Sequence, residues 1–167
     1  RLGWTLFLLA LLGIGLLPVP PFWLTQANYM GIGALVAIGL VLLTGVAGMT
    51  SFGQAAFVGV SAYTSATLVL SAGVSPWLAL PAAVAVTLAL ALVLGVVTLR
   101  LSGHFLPLGT LAWALALFYL FSNSELLGKF DGLSGLPSLQ AFGVGLGSGQ
   151  AMFWLIWLCV ALGLLAS

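Results

Sequence analysis

The chain has 167 residues, of which 63% are hydrophobic and only 3% charged, with a formal net charge of +1. Soluble domains carry about a quarter of their residues as charges, so the composition excludes a soluble globular domain, and it offers no basic surface for nucleic acid. Arg1, Arg100, Glu125, Lys129 and Asp131 are its charged residues, and the solvent they imply is lipid.

In hydrocarbon every backbone amide needs a partner within the protein, which leaves helical bundles and closed barrels. The apolar runs here are long and continuous rather than alternating, so the expected fold is all-α, a polytopic transmembrane helical bundle. A span needs about 20 apolar residues, and six segments approach that length: 2–17, 29–46, 55–72, 77–99, 104–121 and 151 to the end. The first has a basic start but no small-residue cleavage site after it and reads as a retained span. "PVPPFW" (residues 18–23) then reads as a hard stop with Phe22 and Trp23 at headgroup level. The chain starts without methionine and stops inside an apolar run, so residues 1–167 read as the N-terminal part of a single transmembrane domain, cut at both ends. Cys159, the only cysteine, closes no internal disulfide and is expected in the packed interior.

Between the fifth and sixth segments lies an aqueous loop, residues 122–150, with Glu125, Lys129, Asp131 and many glycines. Arg100 falls in the short link before the fifth segment, which favours the cytoplasmic side. With Arg1 also inside, six crossings place the long loop outside. Glu125, Lys129 and Asp131 are then solvated or meet an external partner. Arg100 and His104 are four apart at the start of the fifth segment, placed either as an interfacial anchor or as a cytoplasmic gate. Pro107 belongs to the first turn of that helix or kinks it.

One stretch departs from the apolar pattern. "TGVAGMTSFG" (residues 44–53) gathers three glycines and three hydroxyls, which weakens a helix. Irregular backbone at membrane depth is tolerated where protein buries it or water reaches it, so residues 48–54 are either a plain turn or a re-entrant break beside a cavity. Transporters use such breaks to turn the positive end of a half-helix toward a solute. On the helix that follows, Ala55, Gly59, Ala62 and Ala66 form a small-residue stripe suited to close helix packing. Gln54, Ser61 and Ser65 border it with an amide and hydroxyl edge. Together with Ser51, Tyr63 and Thr110, they are the candidate lining of a solute path.

These residues resemble a known family. "GMTSFGQAAFVGVSAYTSATL" (48–68), "LRLSGHFLPLGTLAW" (99–113) and "DGLSGLP" (131–137) follow, in order and separation, motifs of the branched-chain amino acid ABC permeases, of the M type. Departures fall at Met49 and Thr50, at Pro107, and at Leu115 and Ala116, where many members carry an acid. The resemblance implies a multi-pass permease of the bacterial inner membrane that imports leucine, isoleucine, valine or related small solutes. It implies partners too: a second permease, two cytoplasmic ATPases and a periplasmic solute-binding protein. The chain itself is expected to be no enzyme and to need no cofactor or metal. No P-loop and no Ser-His-Asp set is present, and a lone histidine supplies no zinc site. No acid falls within an apolar segment, which speaks against proton coupling. The alternatives are a passive channel for a small polar solute such as urea or an amide, and a structural membrane subunit.

Overall fold

A computed structural model describes residues 13, 15, 19–46, 48–49, 51–98, 100–101, 105–137, 140–141, 144–145 and 148–166. The chain is helical. Among the described residues there are five long helices: α1 Pro21–Val41, α2 Gln54–Ser71, α3 Pro76–Thr98, α4 Phe105–Asn123 and α5 Gly149–Ala166. A two-residue antiparallel ladder, Gln140–Ala141 with Val144–Gly145, is the small exception. Most of the expected first span, with Arg1, lies outside the described residues.

The boundary read as a stop is also the start of a helix. Pro20 is the N-cap of α1 and Pro21 its first helical residue, and the Trp23 amide donates to the Pro20 carbonyl at 3.0 Å. Proline is unfavourable inside a helix but well suited to its first turn, where the missing N–H has no intrahelical partner to lose. So α1 begins eight residues before the expected position 29. Three helices are long and apolar enough to cross a membrane among the described residues: α1 with its extension, Pro21–Val46, then α3 and α4. The apolar part of α5, Gly149–Leu165, is shorter. The length of α2, 18 residues, suffices; Gln54, Ser61, Tyr63, Ser65 and Thr67 lower its apolarity.

The chain divides into two compact units. In the first, residues 1–42 and 138–167, α1 packs along α5. Phe153 and Val160 of α5 are fully buried, and Ile156 and Trp157 close over Gly31. The Asn28 amide donates to the Gly149 carbonyl at 3.1 Å, and Gln150 donates to the Gly15 carbonyl at 2.7 Å. Trp154 lies against Gly15 as well. Cys159 is exposed rather than packed inside. Because α5 is apolar on every side, its sequence has no polar face to indicate which side is covered.

In the second unit, residues 43–137, α2 packs along α3 and is flanked by α4. α3 exposes Val84, Leu88, Leu92 and Val96, four residues apart, at 59–63% of their surface. Such a continuous aliphatic ridge is a surface suited to lipid or to a neighbouring helix. After α4, two 3₁₀ turns, Glu125–Leu127 and Lys129–Asp131, fold against it. Lys129 Nζ meets Glu125 Oε1 at 2.8 Å, exposed on both sides. Gly128 between the turns has φ +76° and the Gly132 carbonyl against it, a place without room for a side chain.

Two glycines of α1 make the packing testable. A Cβ at Gly31 would come within 2.5 Å of the branched Ile156 side chain, whereas one at Gly33 meets nothing within 4 Å. Gly31→Ala is expected to destabilise the chain by about 1–3 kcal/mol through overpacking. Gly33→Ala is expected to be neutral or to stabilise by up to about 1 kcal/mol through helix propensity. Thermal unfolding of the two variants in detergent checks the contrast; equal midpoints would show that α1 does not pack on α5 through Gly31.

Candidate functional site

Helix α1 with its extension ends at Val46 and the next begins at Gln54, an interruption common to the turn and the re-entrant break expected there. α1 loosens into a π-helical turn, Leu42–Val46, a widening that often accompanies functional segments. Gly48 follows with φ +64°, and the Met49 amide donates back to the Leu43 carbonyl at 3.2 Å. A left-handed glycine that returns an amide to the last carbonyls is a common way to end a helix. Thr50 lies outside the described residues. α2 starts at Gln54 with Gly53 as its N-cap, which has no side chain to cap with.

The amides freed by the break are taken up by hydroxyls. The Phe52 N–H donates to Thr110 Oγ1 at 3.0 Å, and the Gly53 N–H donates to Ser51 Oγ at 3.2 Å. Thr110 in turn donates to the Pro107 carbonyl at 2.9 Å. Pro107 is the third residue of α4, in the first turn, where its missing N–H costs no helical bond. Thr110 is thus both acceptor and donor, tying the broken stretch to the start of α4. Gly53 is buried there, and a Cβ on it would touch the Thr110 carbonyl at 3.4 Å.

A cavity of about 240 Å³ opens beside this clasp, wholly within the second unit. Leu43, Met49, Ser51, Gly53, Ala56 and Phe57 form one side; Ala91, Leu94, Gly95 and Thr98 of α3 and Leu106, Thr110 and Trp113 of α4 form the other. Thr98 is buried, and its hydroxyl donates to the Leu94 carbonyl. The Thr98 and Thr110 hydroxyls donate to backbone carbonyls, Ser51 accepts from the Gly53 amide, and no charged group lines the wall. The cavity presents carbon.

Of the expected path residues, Ser51 and Thr110 meet at this cavity, and half-buried Gln54 is the first residue of the helix that borders it. The others are elsewhere. The Tyr63 ring stacks at 4.9 Å on Phe121, near the other end of α4. Ser65 donates to the Ala62 carbonyl at 3.0 Å, and Ser61 is half-buried farther along α2. Along the expected packing stripe, Ala66 is buried and Gly59 admits Phe121, whose ring would stand 3.0 Å from a Cβ. Ala55 and Ala62 are exposed, and the covered face runs instead through Ala56, Val60 and Ala66. Arg100 is exposed in the link between α3 and α4, and His104 lies outside the described residues. Sequence reasoning missed the α3 wall. Its signal is Ala91, Gly95 and Thr98, small residues at spacings of four and three in the second half of the helix. No group of three metal-ligating residues occurs among the described residues.

Helices apolar on all sides, one of them broken where its neighbours leave a cavity, define a multi-pass membrane protein. The family described as branched-chain amino acid transport system / permease component matches residues 22–166, and the chain belongs to that family. It is 32% identical over 145 residues to the high-affinity branched-chain amino acid transport system permease protein LivM of Salmonella typhimurium (strain LT2), which covers 83% of this chain and 34% of that protein. The corresponding LivM of Escherichia coli (strain K12) is 31% identical over the same length, with the same coverage. The chain therefore spans about a third of the length of these relatives. No solved structure matches it.

The clasp yields a direct expectation. Thr110→Val removes the acceptor for the exposed Phe52 amide with little change of volume, and the net worth of such a bond is about 0.5–1.5 kcal/mol. Hydrogen exchange at Phe52 is expected to quicken by up to roughly tenfold in Thr110→Val, since each ~1.4 kcal/mol is a factor of ten. Thr110→Ser is expected to restore slow exchange. Equal exchange in all three proteins would show that the hydroxyl does not hold the break.

Proposed function

We propose that this chain forms part of the membrane-spanning permease subunit of an ABC importer that moves branched-chain amino acids inward. The observation that carries the reading is the family match over residues 22–166, supported by the LivM identity over 83% of the chain. ATP hydrolysis would take place on two cytoplasmic ATPase partners. A second permease subunit would complete the path, and a periplasmic binding protein would deliver the solute. The host membrane is the bacterial inner membrane, and the bundle completes about six crossings. The permease is the transport half of the machine and carries out no bond chemistry itself.

The path residues are Ser51, Gln54 and Thr110 at the break, continued by Ser61, Tyr63 and Ser65 along α2. Ala55, Gly59, Ala62 and Ala66 take neighbouring helices, Ala55 and Ala62 through faces left uncovered in this chain. Arg100 and His104 form the cytoplasmic anchor or gate. The half-buried Gln54 at the first turn of α2 is a polar side chain at the mouth of an apolar space, which is how a path fixes the orientation of a solute.

The complete assembly in vesicles, given labelled leucine and labelled urea, tests the transport reading. ATP-dependent accumulation of leucine is expected; equilibration of urea without ATP would replace the importer with a passive channel. Gln54→Leu is expected to lower leucine uptake by roughly tenfold, the worth of one polar contact of ~1–1.5 kcal/mol, with the permease pair still assembled. Uptake at the unaltered rate would remove Gln54 from the path.

A further inference from the structure

α3 contains a glycine that no packing contact explains. Glycine inside a helix is unfavourable relative to alanine, and in membrane bundles the usual compensation is close approach of another helix. Gly31 and Gly59 fit that rule, since a Cβ on either would press into Ile156 or Phe121. Gly95 does not: a Cβ there meets nothing within 4 Å, although the residue is only half-exposed. It stands on the wall of the 240 Å³ cavity. What the missing side chain preserves is open space.

The chemistry of that space is narrow. Ala56 and Ala91 are small, Leu43, Leu94 and Leu106 are aliphatic, and Trp113 closes one side. The hydroxyls of Ser51, Thr98 and Thr110 are already bonded to backbone groups. An ammonium or carboxylate placed against these walls has no counter-charge among the lining residues and would give up water without gaining a partner, which is unfavourable. A whole zwitterion does not suit the cavity, while a compact branched hydrocarbon group does. At about 240 Å³ it also falls below the roughly 300–1,000 Å³ of pockets that enclose drug-sized ligands.

We infer that the cavity is the subsite for the aliphatic side chain of the transported amino acid, with the charged amino and carboxylate groups held outside it, and that Gly95 keeps it open. This rests on the transport reading above and adds the place where the side chain is sensed. A lipid acyl chain is the competing occupant, and the two differ in what filling the cavity does to selectivity.

The test fills the cavity from Gly95 in the complete assembly, reconstituted with all partner subunits, and reads initial uptake of labelled leucine and labelled valine. Gly95→Ala fits without a clash and favours the helix, so the variant folds; Gly95→Leu fills more of the space. For Gly95→Ala the leucine-to-valine ratio is expected to fall by roughly tenfold, the discrimination one methylene gives in an apolar pocket. For Gly95→Leu uptake of both solutes is expected to be lost while the permease still co-purifies with its partner subunits. A ratio unchanged in Gly95→Ala, whether both rates stay normal or both fall together, overturns the subsite and leaves the transport reading intact. Absence of leucine uptake in the unaltered assembly overturns both.

Discussion

The satisfaction of backbone polar groups where a helix breaks inside an apolar chain governs the rest of this structure. A continuous helix carries its own hydrogen bonds into lipid; a broken one leaves amides that hydrocarbon cannot accept. Between the π turn Leu42–Val46 and the first residue of α2, the amides of Met49, Phe52 and Gly53 find the Leu43 carbonyl, Thr110 and Ser51. One of those partners comes from α4. Because Thr110 belongs to the second turn of α4, the break fixes the start of that helix beside the start of α2, and α3 closes the third side. The cavity lies beside this arrangement, in a volume that the small residues Ala91 and Gly95 of α3 do not fill.

Helix positions were largely legible in the sequence, because long uncharged runs are punctuated by proline and glycine. The expected bounds of α2, α3 and α4 lie within two residues of those observed. α1 was placed too late for one reason: Pro20 and Pro21 obey the same chemistry whether they stop one helix or open the next, and φ near −53° at the N-cap suits either. The orientation of each helix was not legible. Periodicity locates a buried face only when the opposite face is polar. Here both faces are apolar, so Cys159 was expected inside and lies outside, and the cover on α2 is shifted by one residue from Ala55 to Ala56.

The candidate site shows the same division. Ser51 and Thr110 were recognisable as polar residues in an apolar chain, and the structure joins them across 59 residues of sequence. Their partners were not recognisable, because a hydroxyl that caps a broken strand of backbone looks the same in sequence as one that faces water. The α3 wall was hidden for a related reason. Ala91 and Gly95 read as small residues for close packing, and only the space in front of them distinguishes a contact from a vacancy. Glycine therefore has two opposite uses here. At Gly31 and Gly59 it lets a side chain in, and at Gly95 it leaves room.

The choice of hydroxyls rather than charges at the break has an energetic consequence. An intramembrane charge is costly to bury and strongly coupled to any partner, so moving it takes a large input and offers a proton or ion as the source. A neutral hydrogen bond contributes only about 0.5–1.5 kcal/mol net, and exchanging one for another requires little. No acidic or basic residue lies within α1 to α5, so these helices hold no group whose titration would drive movement. A break tied by Thr110 and Ser51 is stable enough to give one resting geometry and weak enough to be rearranged by force applied from outside the helices. That combination is what the proposed importer would need of its membrane part, with the work done on other chains.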